Sequence, residues 1–311
     1  MHKIGLLFGR EDTFPWALLE KINSLDGKKV VAEPVQIGGI KMAEPCGYQV
    51  IIDRISQDVP FYRAFLKNAV LTGTTVINNP FWWTADDKFF NYALASQMGI
   101  AIPNTVILPH NQHPPDITAR SLRNLIYPLN WEEIFAYIGF PAFLKPYAGG
   151  GWKHVYKVHS PEELFHYYNQ TGDLCMTLQS SVEFEDYYRC YVIGQERVHI
   201  MRYDPRRPHQ ERYVLDGPPL DPAMKARLEK DCLTICRALG YDMNTVEFAV
   251  QDGVPYAIDF LNPAPDADLH SVGQANFDWM VQALAEFAVA EAKRKPRAIK
   301  EYRWAKFLSG K

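Results

Sequence analysis

Apolar positions along this chain follow two alternating rhythms, short β-branched runs and longer stretches of helical spacing, with Gly, Pro and Asn at the joins. Lys3–Gly9 predicts a first strand, and Phe14–Leu25 a helix with Trp16, Leu18, Leu19 and Ile22 on one face. Lys29–Val35, Gln49–Ile52 and Thr74–Ile77 predict further strands, and Pro60–Leu71 an apolar-faced helix. Strands alternating with helices, with few hairpin signals between them, imply an α/β lobe around a parallel sheet. After the turn at Asn78-Asn79-Pro80 the pattern predicts a helix over Ala85–Met98, with Gly99 as its C-cap and Lys88 in its first turn. Thr105–Leu108 is a strand, residues 110–124 an exposed loop rich in Pro, His and Asn, and Asn130–Ile138 a short helix.

Further along, FPAFLKPYAGGGWKHVYKV predicts a strand carrying Lys145, the three glycines Gly149, Gly150 and Gly151, and a strand returning through His154–Val158. The glycine hairpin leaves backbone N–H groups open to a phosphate, and the lysine at its base adds a point charge. No Gly-Lys-Ser/Thr opens a helix after it, so it is not a P-loop. Ser160-Pro161 caps a helix, Cys175–Gln179 is a strand, and Ser180–Asp186 a connection. Tyr187–Ile193 and Glu196–Arg202 read as paired strands that turn Arg189 and Arg202 inward. Pro222–Leu239 is an amphipathic helix ended by Gly240, residues 262–274 a loop, and Phe277–Ala292 a long helix.

Between the last two helices lies TVEFAVQDGVPYAIDFLNP, two strands joined at Asp252-Gly253. Glu247 sits on the first, Asp259 at the end of the second, and Asn262 just beyond. Two carboxylates and an amide oxygen at adjacent strand ends make a hard-oxygen site of the kind Mg²⁺ takes, with water and phosphate completing its shell. A solvated hairpin is the bland alternative.

Composition narrows the class. The chain has 311 residues, 47% hydrophobic and 22% charged, as in ordinary globular proteins with two or three lobes. A net charge of -3 and the lack of a basic run give no reason to expect nucleic acid. No apolar run reaches membrane-spanning length, the N-terminus reads as a strand, and five scattered cysteines form no zinc set, so a reduced cytoplasmic protein is expected.

The order of these features resembles the ATP-grasp superfamily, which includes D-alanine–D-alanine ligase, glutathione synthetase and the ribosomal-protein glutamate ligases. Lys88 opens a helix, Lys145 precedes a glycine hairpin, a Gln-Ser-Ser-Val hinge follows, and then come an arginine strand and the Glu…Asp…Asn hairpin. RCYVIG and KFFNYALASQMGIAIPNT are most similar to the glutamate ligase and glutathione synthetase branch. The resemblance implies an α/β pre-ATP-grasp domain over 1–79 and an ATP-grasp domain over 80–311, with a small mobile lid at about 139–182 and a C-terminal α+β lobe. It implies ATP held by Lys88, Lys145, the Gly149–Gly151 flap, Gln179 and Val182 at the adenine, and Asp186 or Glu185 at the ribose. Arg189, with Arg202 as a second candidate, would steady the transferred phosphate. Glu247, Asp259 and Asn262 would hold two Mg²⁺ ions, with Mn²⁺ able to substitute. Asp259-Phe260-Leu261-Asn262 has two residues between acid and amide where the family has one, so Asn262 reaches the metal only if a bulge re-aims it.

The implied activity is an ADP-producing ligase that joins a small-molecule carboxylate to an amine, the partners being amino acids or a peptide or protein terminus. A homodimer is compatible with this. Two other readings stay open. Inositol-phosphate kinases share the arrangement, and Arg206-Arg207 with His209 is a modest basic patch. Synapsins resemble it as ATP binders without turnover. Arg54 or Arg202 could meet an acceptor carboxylate, and Asp266, Asp268 or His270 an amine.

Overall fold

The computed structural model describes residues 1–83 and 87–294 together with Tyr302, Trp304 and Phe307. Along the chain run β1 (His2–Leu7), α1 (Phe14–Asp26), β2 (Val30–Pro34), β3 (Val50–Asp53), α2 (Pro60–Leu71), β4 (Thr75–Ile77) and α3 (Pro80–Trp83). Next come α4 (Lys88–Gln97), β5 (Thr105–Leu108), α5 (Trp131–Ile138), β6 (Ala142–Pro146), β7 (Tyr156–Val158), α6 (Pro161–Tyr168) and β8 (Met176–Ser180). The remainder is β9 (Asp186–Ile193), β10 (Arg197–Arg202), α7 (Pro222–Leu239), β11 (Met243–Gln251), β12 (Val254–Asp259), α8 (Leu269–Val272) and α9 (Gln274–Lys293). The described residues fall into two compact units. One lies within Met1–Ala85, Tyr188–Val246 and Leu261–Lys311, the other within Asp86–Tyr187 and Glu247–Phe260.

In the first unit, β2-β1-β3-β4 form a sheet in that order, all pairs parallel, as the alternation of strands and helices predicts. Both faces of this sheet are covered. Ile4, Leu6 and Ile52 point into a core with Leu18 and Ile22 of α1 and with Met280 and Leu284 of α9. Leu7, Ile51 and Val76 point the other way, onto Phe65, Leu66 and Ala69 of α2. Each such fully buried large side chain stabilises the fold by about 1.5–3 kcal/mol. Asn78, expected only as a turn residue, is 1% exposed and fully bonded. Its Oδ1 accepts from the amides of Asp242 (2.8 Å) and Met243 (2.7 Å), and its Nδ2 donates to the carbonyls of Met243 (2.6 Å) and Pro263 (3.0 Å). A buried amide so matched fixes where β11 begins.

The expected loop over 262–274 is more ordered than its composition suggests. It contains α8, and its Asp268 caps α1 from a distance, because Thr13 at the helix start makes no side-chain cap of its own. Asp268 Oδ1 accepts from the amides of Thr13 (3.1 Å) and Phe14 (3.0 Å) and from the Thr13 hydroxyl (2.9 Å). Burial opposes ionisation of this carboxyl, but the bonds from Phe14, Thr13 and Asp12 prevail and hold it below the usual carboxylate range.

In the second unit, β5-β8-β6-β7 make an antiparallel sheet. One face packs Leu144, Val158, Met176 and Leu178 on Ile138 of α5 and Leu164 of α6, with Trp131 and Phe135 alongside. A third sheet has the order β10-β9-β11-β12. Its β12 and the Glu247–Gln251 end of β11 lie in the second unit. The helix expected from Ala85 is described from Lys88, with Asp87 as its cap: Asp87 Oδ1 accepts from Phe90 N at 2.7 Å. Residues 85 and 86 of that expectation lie outside the described residues, as do the side chain of His209 and most of the basic tail.

Candidate active site

Helix geometry brings the first part of the site together. Lys88, Asn91, Tyr92 and Ala95 form the buried stripe of α4, at the spacing that places side chains over one another on one face. Lys88 is 5% exposed, and its Nζ donates to Asp259 Oδ1 at 2.9 Å. Its backbone N–H donates to the Tyr147 carbonyl at 2.8 Å, which ties the start of α4 to the residue after β6.

Lys145 enters from β6. Its ammonium is buried and gives all three protons to neutral oxygens: the Tyr92 hydroxyl at 2.7 Å, Gln179 Oε1 at 2.8 Å and the Ile258 carbonyl at 3.3 Å. Burial, and then the charge of Lys88, push its pKa down to about 7, although Asp259 and Glu247 pull the other way. The Gln179 side chain is spent inside the protein, since its Nε2 donates to Thr105 Oγ1 at 2.8 Å. Its backbone lies in β8 between Thr105 and Phe143.

The carboxylates face each other across a bulge. Glu247 pairs with Asp259, but Phe248 pairs with Ala257, so the register skips Ile258. The extra residue turns its carbonyl to Tyr92, whose hydroxyl donates to it at 2.8 Å, and to Lys145. The Tyr187 hydroxyl donates to Glu247 Oε2. The bulge falls before Asp259 rather than between Asp259 and Asn262. Asn262 lies past the end of β12 and belongs to the first unit.

Gly149 and Gly151 have φ of 92° and 71°, a region that a side chain disfavours, and no atom lies within 4 Å of where a Cβ would stand on any of the three glycines. Trp152 follows, 62% exposed. Val182 is half-buried in the connection from β8 to β9, which is stapled to β11: Glu183 N donates to Gln251 Oε1 at 3.0 Å and Glu185 N to the Val250 carbonyl at 2.9 Å. Asp186 opens β9 and is exposed, as is Glu185.

The two arginines do not share a face, which corrects the expectation that both turn inward. Arg189 is opposite Met201 and Arg202 opposite Tyr188, and neighbouring residues of a strand point to opposite sides. Arg189 is buried, with its guanidinium 5.0 Å from the Tyr203 ring centre and Nη1 donating to the Tyr213 hydroxyl at 2.6 Å. Arg202 lies over the Tyr188 ring at 5.4 Å and donates to the Pro218 carbonyl at 3.2 Å. Arg54, weighed as an acceptor-carboxylate partner, is 3% exposed and already engaged by Glu11 and the Pro265 carbonyl. Asp268 is engaged in capping α1, and the Ser271 hydroxyl donates to Asp266.

Among the described residues no group of three or more His, Cys, Asp or Glu gathers as a metal site. The donor set fits Mg²⁺ nonetheless, because that ion takes one or two carboxylates and completes its shell with water and substrate phosphate. Glu247 and Asp259 side by side supply that number. Sequence reading missed Tyr92, Tyr187 and the Ile258 carbonyl. Only Tyr92 left a trace, four residues after Lys88 on a helix.

No protein-family model matches the sequence, and no curated protein matches it. Solved structures do. The chain is similar to a D-alanine–D-alanine ligase from Bacillus anthracis complexed with ATP, at 17% identity and TM-score 0.64 over 94% of this chain and 97% of that one. It is similar to the ATP-grasp ligase PsnB complexed with minimal precursor, at 15% identity and TM-score 0.67 over 94% and 100%. Another PsnB structure holds Mg and ADP. A RimK domain ATP-grasp protein from Sphaerobacter thermophilus is similar at 18% identity and TM-score 0.64 over 92% and 99%. The chain has the ATP-grasp fold, an α/β architecture. Among the described residues no helix is long and apolar enough to cross a membrane.

Proposed function

We propose that this protein is an ATP-dependent carboxylate–amine ligase that forms an amide through an acyl phosphate and releases ADP and phosphate. The observation that carries this reading is the convergence of two buried lysines and two paired carboxylates at the bulged end of β11–β12, in a chain of ATP-grasp fold. A carboxylate approaching the γ-phosphate of ATP brings two negative charges together. Lys88 and Lys145 are already desolvated by the protein, and in its charged form each ammonium stabilises that approach. Glu247 and Asp259 would hold Mg²⁺, which supplies further positive charge to the phosphates. The Gly149–Gly151 segment, free of side chains, covers the triphosphate with backbone N–H groups and keeps water from the acyl phosphate. Val182 and the backbone of the β8–β9 connection meet the adenine, and Asp186 or Glu185 the ribose. Arg189 is assigned to the transferred phosphate; Arg202, on the opposite face of the hairpin, is not. The domain limits adopted are 1–79 and 80–311, and a homodimer is compatible with them.

The test is Mg²⁺-dependent ADP release from pools of amino acids and small carboxylates, each with and without amines. ADP and phosphate formed only when acid and amine are both present support the ligase. ADP without free phosphate, in the presence of a hydroxyl compound alone, makes the protein a kinase. ATP binding with no turnover in any pool, peptides included, leaves only a nucleotide-binding role.

A further inference from the structure

The geometry points to Tyr92 as a positioning residue of the phosphate site, one that keeps the Ile258 carbonyl bonded so that Lys145 is free to turn a proton toward a phosphate oxygen. The inference rests on the reading of Lys145 as a phosphate ligand. In the structure all three ammonium protons of Lys145 are already committed, to Tyr92, Gln179 and Ile258. A phosphate oxygen therefore has to take one of them. The bond to the Ile258 carbonyl is the longest, at 3.3 Å against 2.7 and 2.8 Å, and is the one most readily given up.

Breaking that bond would normally leave a half-buried carbonyl short of a donor, which carries a cost. Tyr92 removes the cost. Its hydroxyl donates to the same carbonyl at 2.8 Å while accepting from Lys145 at 2.7 Å. One phenol thus satisfies the oxygen that Lys145 leaves and still steers the ammonium through its own lone pair. The phenol is itself held still: its ring packs edge-on against Phe260, centroids 5.6 Å apart, and lies 3% exposed. The Ile258 carbonyl is available to both donors because the bulge skips that residue, one position before Asp259.

A double-mutant cycle on ATP affinity tests this, with Tyr92→Phe, Lys145→Met and the double variant titrated against the wild-type protein. Tyr92→Phe keeps the ring and its packing, so the protein should fold; Tyr92→Met removes the same hydroxyl if the phenylalanine protein is insoluble. Without the hydroxyl, Lys145 stays pinned to the carbonyl, and ATP affinity should fall about tenfold in the wild-type background. In the Lys145→Met background the same change should cost less than about twofold, because there is no ammonium left to steer. A merely structural tyrosine would weaken binding by the same factor in both backgrounds, and that outcome overturns the inference, as does an unchanged affinity for Tyr92→Phe alone. ATP affinity undiminished by Lys145→Met would instead sink the phosphate-site reading itself.

Discussion

At the scale of the residue, Lys145 should set the pH behaviour of nucleotide binding if it meets the phosphates as proposed. Burial and the neighbouring Lys88 charge bring its pKa down to about 7, so near neutrality the ammonium is only partly charged. A triphosphate favours the charged form, and its binding therefore takes up a proton wherever the free protein has lost one. The sign follows: ATP affinity is highest below about pH 7 and weakens above it, by up to about tenfold per pH unit. Calorimetric titration across pH 6 to 9 (a range chosen around that pKa) should show this slope in the wild-type protein and a flat profile in Lys145→Met. A flat wild-type profile would mean that the ammonium does not meet the phosphates. At the other end of the Lys88 bond, Asp259→Asn should retain ATP binding but lose Mn²⁺ affinity at least about tenfold, read by electron paramagnetic resonance, if Asp259 is a metal ligand. Unchanged Mn²⁺ affinity would leave Asp259 as no more than the partner of Lys88.

At the scale of the element, the capping of α1 by Asp268 joins two segments far apart in sequence. Asp268→Ala strands the amides of Thr13 and Phe14 and should destabilise the protein by about 1–2 kcal/mol, seen as a lower denaturant midpoint with an unchanged slope. Because the folded-state pKa of Asp268 is depressed, its contribution is present above the ordinary carboxylate range and is lost as pH falls through the lowered value. The wild-type and alanine proteins should therefore converge in stability toward acid pH. This bond also marks where the sequence ceased to be legible. Local periodicity predicted the strands and helices of the β1 to β4 sheet, the helix that opens near Lys88 and the hairpin bearing Glu247 and Asp259, because each element carries its own apolar period within a few residues. Asp268 read as a loop acid, and Asn78 as a turn residue, because their partners lie 255 and 164 positions away. Strand alternation would have separated Arg189 from Arg202, but only with the pairing register in hand. The bulge at Ile258 was invisible for the same reason: a skipped residue leaves no mark in a short apolar run.

At the scale of the whole molecule, the second unit is assembled from two segments, Asp86–Tyr187 and Glu247–Phe260, returned to by a chain that builds the first unit in three passes. Lys88, Lys145, Gln179, Glu247 and Asp259 all lie in those two segments, so both lysines and both carboxylates belong to one compact body even though they are far apart in sequence, whereas Arg189 lies in the first unit. A ligand that binds only the folded form stabilises what it touches by mass action, by about 2.7 kcal/mol at a hundred times its dissociation constant. Local opening free energies differ between cooperative units, so that stabilisation should not be uniform. In hydrogen exchange with saturating ATP and Mg²⁺, amides of α4, β6, β8 and the β11–β12 hairpin should gain protection of about tenfold or more. Those of β1, β2 and β4 should change far less, since their sheet contains none of the assigned phosphate groups. Protection confined to the parallel sheet would place the nucleotide elsewhere, at the carboxyl ends of β1 and β3 where open α/β sheets also bind ligands. Protection rising equally everywhere would mean that the two bodies open as one, and that closing the phosphate site tightens the entire chain.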